Sequence, residues 1–209
     1  LNTPSASTRA VAELTTGYLL ALARHIPQMT ASMKAGKWEK KKFKGIEIYG
    51  KTVGVIGAGR IGQAVAQRAH ALGMSVLAYD PFVTEADHIK FVSLDELFER
   101  SDFITLHVPH IDATHNIVNA ESFEKMKDGV YIINCGRGGT LDEDALYDAI
   151  QAGKVAAAAI DVHAEEPCQG HKLYTLDEVI GSPHVGAGTT EAKARVGEVA
   201  AQKVIGALS

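Results

Sequence analysis

The sequence has few cysteines, no long apolar run and no large excess of charge of one sign. Cys135 and Cys168 are too few for a disulfide framework or a cysteine-based zinc site, so we expect a reducing, cytoplasmic setting. Because no stretch reaches ~18 consecutive apolar residues, the sequence predicts no membrane span. A net charge of -4 gives no general attraction to nucleic acid or to anionic membranes.

The charge is nevertheless unevenly distributed, since residues 1–51 carry nine basic and three acidic side chains. Five lysines lie between Lys37 and Lys44, beside Trp38 and Phe43. Such a run can bind anions or nucleic acid, but no nucleic-acid-binding motif accompanies it. We therefore interpret it as a solvated surface loop and expect no nucleic-acid partner.

What the sequence does contain is a regular alternation of short apolar runs and amphipathic segments. The predicted strands are 52–56, 75–79, 103–108, 130–134, 155–161 and 179–182, and the predicted helices between them are 61–72, 94–100, 122–127 and 142–151. The strands are continuous apolar runs, as expected of strands covered on both faces. This alternation predicts an α/β fold with a Rossmann-type, doubly wound parallel sheet.

Two further helices frame this unit, which we treat as a single domain over residues 1–209. Apolar residues at steps of three and four predict a long leading helix within 1–30; they are Val11, Leu14, Tyr18, Leu22 and Ile26. A closing helix is predicted over 190–208, with Val196, Val199, Ala200 and Val204 on one side.

A Gly-x-Gly-x-x-Gly motif lies at residues 57–62, between a predicted strand and a predicted helix. That context is typical of a dinucleotide-binding turn, in which Gly57, Gly59 and Gly62 allow the turn, the approach of a pyrophosphate and helix–sheet packing. Asp80, which ends the next strand, can accept hydrogen bonds from a ribose and would repel a 2′-phosphate. Since residues 81–89 contain no Lys or Arg, NAD is favoured over NADP. The alternative is a glycine turn needed only for packing.

Arg137, Glu166 and His184 each follow one of three successive predicted strands. Open parallel sheets place their ligands at the carboxyl ends of the strands, so these three side chains can converge on one point. Such a trio suits hydride chemistry on a 2-hydroxy acid. Arg137 would bind the substrate carboxylate, His184 would exchange the hydroxyl proton, and Glu166 would orient the imidazole. Taken singly, the arginine also fits a surface position and the histidine a turn.

Several motifs in a fixed order carry a family resemblance; they lie at residues 2–4, 10–13, 45–51, 79–81, 106–109, 134–139, 165–167 and 183–187. Over essentially its whole length the chain resembles the NAD-binding domain of the D-isomer-specific 2-hydroxyacid dehydrogenases. Within that family it is most similar to the branch that acts on 3-phosphoglycerate in serine biosynthesis, with glyoxylate or hydroxypyruvate and D-lactate as alternative substrates. It is also similar to the C-terminal-binding corepressors, which implies a non-catalytic NAD-sensing module as the rival function.

The resemblance implies roles for individual residues. It assigns Arg137, Glu166 and His184 as catalytic, and the glutamate separates the chain from the formate dehydrogenase branch, which has a glutamine there. The cofactor-binding residues implied by the motif and the resemblance together are Gly57, Gly59, Arg60, Ile61, Gly62, Asp80, Val108, Pro109, Thr114, Cys135, Gly136, Arg137, Asp161, His184 and Gly186. No metal site is expected, because His107, His110 and His115 have no carboxylate cluster beside them.

The resemblance further implies a second, substrate-binding domain formed outside Leu1–Ser209, and a homodimer whose interface includes the leading helix. Val108 departs from the phosphoglycerate branch, which often has Thr, and His163 stands where an aromatic residue is common. We interpret His163 as a residue that lines the pocket and Cys135 as a small packing residue. The acidic side chains at 142–144 are interpreted as a cluster matched to a helix N-terminus.

Overall fold

A computed structural model describes residues 6–208, with side chains described as far as residue 204. The motif at residues 2–4 and the ends of the predicted domain therefore lie outside the described residues. The strands are β1 Thr52–Ile56, β2 Ser75–Tyr79, β3 Lys90–Phe91, β4 Phe103–Leu106, β5 Val130–Asn134, β6 Val155–Ile160 and β7 Val179–Gly181. They form one seven-stranded sheet in the order β3-β2-β1-β4-β5-β6-β7, and every neighbouring pair is parallel.

The helices cover both faces of this sheet. They are α1 Thr8–Arg24, α2 Ile26–Lys34, α3 Arg60–Ala71, α4 Leu94–Arg100, α5 Ala120–Lys125, α6 Glu143–Gln151 and α7 Thr190–Leu208. One buried cluster joins α1 and α3 to one face of the sheet, and a second joins α4, α5 and α6 to the other. The predicted doubly wound fold is confirmed. No helix among residues 6–208 is long and apolar enough to span a membrane.

All six predicted strands are present, and β3 is an additional edge strand. With two residues, β3 is too short to produce a recognisable apolar pattern. Three strands end earlier than predicted, since β4 stops at Leu106, β6 at Ile160 and β7 at Gly181. The polar residues that follow them therefore lie in loops at the carboxyl edge of the sheet.

The long helix predicted within residues 1–30 is divided in two at His25. This residue has a left-handed backbone (φ 54°) and caps the end of α1. Pro27 lies in the first turn of α2 and has no N–H to continue the hydrogen-bonding pattern of α1. The carbonyl of Ala23 accepts a hydrogen bond from Ile46 N at 2.8 Å instead. The apolar periodicity crosses this break, which is why it predicted one helix.

The centre of the sheet contains the topological switch point. β1 lies between β2 and β4, so the chain moves to one side of β1 through β2 and β3 and to the other through β4 to β7. A crevice opens at the carboxyl ends of strands at such a point, and open α/β sheets bind their ligands there.

Candidate active site

The glycine motif forms the turn between β1 and α3. Gly57 has φ +95°, and a Cβ on it would lie 2.8 Å from the carbonyl carbon of His107. A Cβ on Gly62 would lie 2.0 Å from the carbonyl oxygen of Gly57. Gly59 is the N-cap of α3, which has no side-chain cap, and nothing lies within 4 Å of its added Cβ. The turn therefore presents the N-terminus of α3 to open space, where it can bind phosphate oxygens.

Asp80 holds this turn from the end of β2. Its Oδ2 accepts a hydrogen bond from Ala58 N at 2.8 Å. Its Oδ1 accepts from Phe82 N at 2.8 Å and from Val83 N at 3.0 Å. Since a carboxylate oxygen can accept two hydrogen bonds, Oδ2 retains capacity for a ribose hydroxyl. The arrangement fits the adenosine end of a dinucleotide.

The other residues implied to bind the cofactor lie around the same crevice. Arg60 is exposed in the first turn of α3, and Ile61 follows it half-buried. Val108 is buried after β4. Thr114 closes the next loop, since its hydroxyl donates to the carbonyl of Pro109 and accepts from Ile111 N at 3.0 Å. Its predicted contact with the cofactor remains a prediction.

Cys135 and Gly136 follow β5 on the floor of the crevice. Cys135 is buried, and burial raises the pKa of its thiol to about 12, so the thiol stays protonated. This agrees with its interpretation as a packing residue. Gly136 N donates to Asn134 Oδ1 at 3.1 Å, and a Cβ on Gly136 would lie 2.8 Å from the carbonyl oxygen of Leu106.

His107 follows β4 as a partly buried residue whose Nδ1 is fully buried, and sequence reasoning gave it no role. Burial lowers the pKa of His107 to about 4, so the ring is neutral at neutral pH. Its Nε2 lies 3.0 Å from Thr105 Oγ1. Its Nδ1 is buried and has no hydrogen-bond partner among the described residues. The His107 side chain therefore adds no positive charge next to the glycine turn.

His184 and Glu166 are in direct contact. His184 Nδ1 lies 2.7 Å from Glu166 Oε2, and Glu166 Oε1 accepts a hydrogen bond from His163 N at 3.0 Å. The hydrogen bond from His184 is the main cause that lowers the pKa of Glu166, so the carboxylate is ionised and accepts the Nδ1 proton. The other ring nitrogen, Nε2, is left to exchange a proton with a ligand.

A hydrogen-bonded loop holds the backbone of His184 in a left-handed conformation, with φ 53°. His184 N donates to the carbonyl of Asp161 at 2.8 Å. The carboxylate of Asp161 accepts from Val185 N and Gly186 N, each at 2.8 Å, and from the Ser182 hydroxyl. Asp161 thus organises the loop that carries His184, whereas its predicted contact with the nicotinamide remains a prediction.

One contributor to this loop was missed in the sequence. Tyr18 of α1 donates its hydroxyl hydrogen to Ser182 Oγ at 2.5 Å, across 164 residues of sequence. The sequence placed Tyr18 on the apolar face of a helix, which is correct for its ring. No local signal could reveal the partner of its hydroxyl, because the partner is brought by the fold.

Arg137 is exposed after β5, and its side chain forms no hydrogen bond or ion pair with Glu166 or His184. It takes part in none of the ion pairs recorded for the described residues, and its Nη1 donates to the carbonyl of Gly136 at 2.7 Å. The neighbouring Gly138 packs against the peptide between His163 and Ala164, where a Cβ would lie 1.7 Å from the His163 oxygen. The arginine loop is thereby adjacent to the loop that carries Glu166, and the guanidinium is available to an anion.

A cleft of about 740 Å³ adjoins the Glu166–His184 pair. Its walls include His163, Cys168 and Tyr174. His163 therefore lines the pocket, as the sequence predicted. Glu166 and His184 are part of the wall of this cleft, so a ligand in the cleft can reach them.

The chain matches known proteins over most of its length. Residues 16–186 match the family described as D-isomer specific 2-hydroxyacid dehydrogenase, NAD binding domain. A hydroxypyruvate reductase of Thermotoga maritima is 54% identical over 98% of this chain and 68% of its own length. A D-3-phosphoglycerate dehydrogenase of Methanocaldococcus jannaschii is 52% identical over 98% of this chain and 40% of its own length.

A solved structure agrees with these sequence matches. The D-lactate dehydrogenase of Aquifex aeolicus, crystallised with NAD and lactic acid, has a TM-score of 0.90 and 34% identity, covering 99% of this chain and 68% of that one. The chain therefore belongs to the D-isomer specific 2-hydroxyacid dehydrogenase family, as its NAD-binding domain. It spans about two thirds of the length of the reductase and two fifths of the phosphoglycerate dehydrogenase that it matches.

Proposed function

We propose that the protein transfers a hydride between NAD and C2 of a D-2-hydroxy acid, interconverting the hydroxy acid and its 2-oxo acid. The observation that carries this proposal is the 2.7 Å contact of His184 with an ionised Glu166, in a domain that also has a glycine turn of the dinucleotide-binding type. An imidazole held by a carboxylate is a general acid and base suited to a hydroxyl proton. NAD, when bound, accepts or supplies the hydride at its nicotinamide ring.

The side chains have distinct tasks in this proposal. In reduction of the 2-oxo acid, protonated His184 gives its Nε2 proton to the carbonyl oxygen that becomes the hydroxyl group. In oxidation His184 takes that proton back. Glu166 keeps Nδ1–H as the donor and stabilises the imidazolium. Arg137 binds the substrate carboxylate and polarises the adjacent carbonyl, a task for which its planar guanidinium is suited.

We assign 3-phosphoglycerate, oxidised to 3-phosphohydroxypyruvate, as the substrate. The support is the order of motifs along the chain and the identity with the M. jannaschii phosphoglycerate dehydrogenase. The second candidate is reduction of hydroxypyruvate, which the identity with the T. maritima reductase favours. The two substrates share the carboxylate and C2 that the proposed trio handles, and they differ at C3, where one carries a phosphate.

A substrate panel tests this proposal. The full-length protein is assayed with NADH and phosphohydroxypyruvate, hydroxypyruvate, glyoxylate or pyruvate, and the chirality of each product is determined. The proposal predicts D-hydroxy acids and the highest kcat/KM for phosphohydroxypyruvate. A higher value for hydroxypyruvate would select the second candidate. NADH binding without turnover of any 2-oxo acid would contradict the dehydrogenase function and favour an NAD-sensing module.

We further propose a homodimer that forms through this domain, in the cytoplasm. Exposed apolar side chains on α2 and the following loop support the dimer; Ile26, Met33 and Trp38 are 46%, 57% and 80% exposed. Both cysteines are free thiols, as expected in a reducing compartment. Analytical sedimentation of wild type and Trp38→Lys measures the oligomeric state. A variant that remains dimeric would exclude this surface as the dimer interface.

A further inference from the structure

A partly buried hydrogen-bond network adjoins the Glu166–His184 pair, and the proposed chemistry does not use it. Its centre is Glu143, the first residue of α6, whose side chain is 11% exposed. Glu143 Oε1 accepts a hydrogen bond from Ala164 N at 3.0 Å and lies 3.3 Å from His163 Nδ1. Its Oε2 lies 3.1 Å from His171 Nε2. The sequence suggested a helix-dipole role, whereas these contacts reach two loops remote from α6.

The partners of the remaining ring nitrogens determine where the protons lie. His171 Nδ1 accepts from Leu173 N at 3.3 Å, so the proton of His171 is on Nε2 and points to Glu143. A carboxylate oxygen only accepts, so His163 Nδ1 is a donor to Glu143, and His163 Nε2, which lies 2.9 Å from the hydroxyl of Tyr174, accepts from that hydroxyl. Every polar group of the network then has a partner.

The network meets the proton-transfer pair at the backbone of His163. His163 N donates to Glu166 Oε1 at 3.0 Å, on the carboxylate oxygen that does not contact His184. The side chains of Glu166 and His184 are 37% and 48% exposed. When two side chains this exposed form an ion pair, the entropy that they lose offsets most of the electrostatic attraction between them. The His163 N–H already holds the second carboxylate oxygen of Glu166 in place. Less entropy is therefore lost when Glu166 pairs with His184.

We propose that Glu143 is a positioning residue for the Glu166–His184 pair. Glu143 binds Ala164 N and the His163 ring, and these two contacts fix the position of the His163 N–H. That N–H orients the side chain of Glu166 and keeps the Glu166 carboxylate in contact with His184. The role rests on the proposed function, because it matters for catalysis only if this pair exchanges the substrate proton. Loss of Glu143 should loosen Glu166 and make the imidazolium form of His184 less favourable.

The ionisable groups that face His184 come from several elements. Glu166 contacts its ring, and Asp161 at the end of β6 binds the N–H groups of the next two residues. Tyr18 of α1 reaches the loop through Ser182, and Tyr174 and Cys168 line the adjoining cleft. Burial raises the pKa values of these two tyrosines and of Cys168, so all three stay neutral while His184 titrates. Glu166 is therefore the carboxylate in contact with the His184 ring, and Asp161 is the carboxylate bound to the backbone that follows it.

The test is an NMR titration of the His184 Cε1–H resonance in this chain, without substrate, in 1 M salt. The resonance is assigned from the spectrum of His184→Asn. At this salt concentration the Debye length is about 3 Å, so the direct field of a remote charge is largely screened. Glu143→Gln is compared with the control Asp144→Asn, which removes one charge from the same turn of α6. Asp144 is 81% exposed and pairs with Lys172 rather than with the loop of Glu166.

We expect Glu143→Gln to lower the midpoint of the His184 titration by about 0.5 pH units, a fraction of the effect of a full carboxylate contact. Asp144→Asn should leave it unchanged. An unchanged midpoint in folded Glu143→Gln, or equal shifts in the two variants, would overturn the inference. If Glu143→Gln does not fold, Tyr174→Phe decides, since it frees the His163 ring and should shift the midpoint in the same direction. No shift in Tyr174→Phe would then overturn the inference.

This readout needs no turnover, so its outcome is separate from that of the substrate panel. A shift together with an inactive full-length protein would refute the dehydrogenase function and leave the positioning role of Glu143 intact. An active full-length protein with no shift would refute the positioning role alone.

Discussion

His184 Nδ1 lies 2.7 Å from Glu166 Oε2, although the two residues belong to loops that follow different strands, β7 and β6. The hydrogen bond from His184 is the largest cause that lowers the pKa of Glu166. Because the ionised carboxylate only accepts hydrogen bonds, Nδ1 of His184 carries a proton in this contact. The contact therefore fixes the tautomer of the histidine and leaves Nε2 without a hydrogen bond to Glu166.

The first prediction concerns the pH dependence of turnover. Reduction of a 2-oxo acid requires protonated His184, so its rate should fall as pH rises through the His184 titration. Glu166→Gln removes the carboxylate charge and should move this limb to lower pH by about 1 unit. The control is Glu165→Gln, which removes the same charge at an exposed neighbour. Superimposable profiles for Glu166→Gln and wild type would show that Glu166 does not act on His184.

The second prediction concerns cofactor selectivity. Asp80→Asn removes the negative charge that would repel a 2′-phosphate and weakens the support of the glycine turn through Ala58 N. A hydrogen bond to a charged group contributes roughly 1.5–3 kcal/mol. The preference for NADH over NADPH, measured by fluorescence titration, should therefore fall by about tenfold or more. Asp87→Asn, an exposed change in the following loop, should keep the wild-type ratio. If Asp80→Asn keeps the wild-type ratio of NADH to NADPH affinity, Asp80 does not select against the 2′-phosphate.

The third prediction concerns acid stability. The pKa of His107 is lowered to about 4 by burial, so the unfolded chain binds a proton at a higher pH than the folded chain does. The stability that neutral His107 provides is complete above its unfolded pKa of about 6.5 and is lost as pH falls towards 4. Between pH 7 and pH 5 this loss is about 2 kcal/mol.

Urea unfolding of wild type and His107→Gln at both pH values measures this loss. The variant has no titrating ring at this position, so its free energy of unfolding should fall by less between pH 7 and pH 5. Equal losses in the two proteins would show that His107 is not buried as a neutral base.

The fourth prediction concerns thiol reactivity. Burial raises the pKa of Cys135 to about 12, whereas Cys168 is half-exposed in the cleft. Since the thiolate is the nucleophile, iodoacetamide at pH 8 should label Cys168 first and Cys135 after unfolding. Mass spectrometry of timed samples checks the order. Rapid labelling of Cys135 in the folded chain would contradict its burial.

The fold could be predicted from the sequence because its evidence is local. Buried parallel strands are continuous apolar runs, and the glycine motif marks the turn between β1 and α3. The division of the leading helix at His25 was missed, because the apolar periodicity continues from α1 into α2. β3 was missed because two residues carry no pattern.

Residue type alone indicated Arg137, Glu166 and His184 after successive strands; the structure brings Glu166 and His184 into contact, and the catalytic roles of all three remain predictions. The groups that hold them were not predictable. Glu143 resembles any acidic residue at a helix N-terminus, and Tyr18 resembles any apolar position of a helix. Their partners, Ala164 N and Ser182 Oγ, are brought to them by the packing of distant segments. Such contacts leave no trace in sequence spacing.

The central claim is that His184 exchanges the substrate proton while the nucleotide turn binds the cofactor independently. The most direct test compares wild-type and His184→Asn full-length protein for NADH affinity and for kcat with the best 2-oxo acid. Loss of a general acid and base lowers the rate by about 10²–10⁴-fold, whereas the variant should still bind NADH through the nucleotide turn. A variant that keeps wild-type kcat would contradict the account.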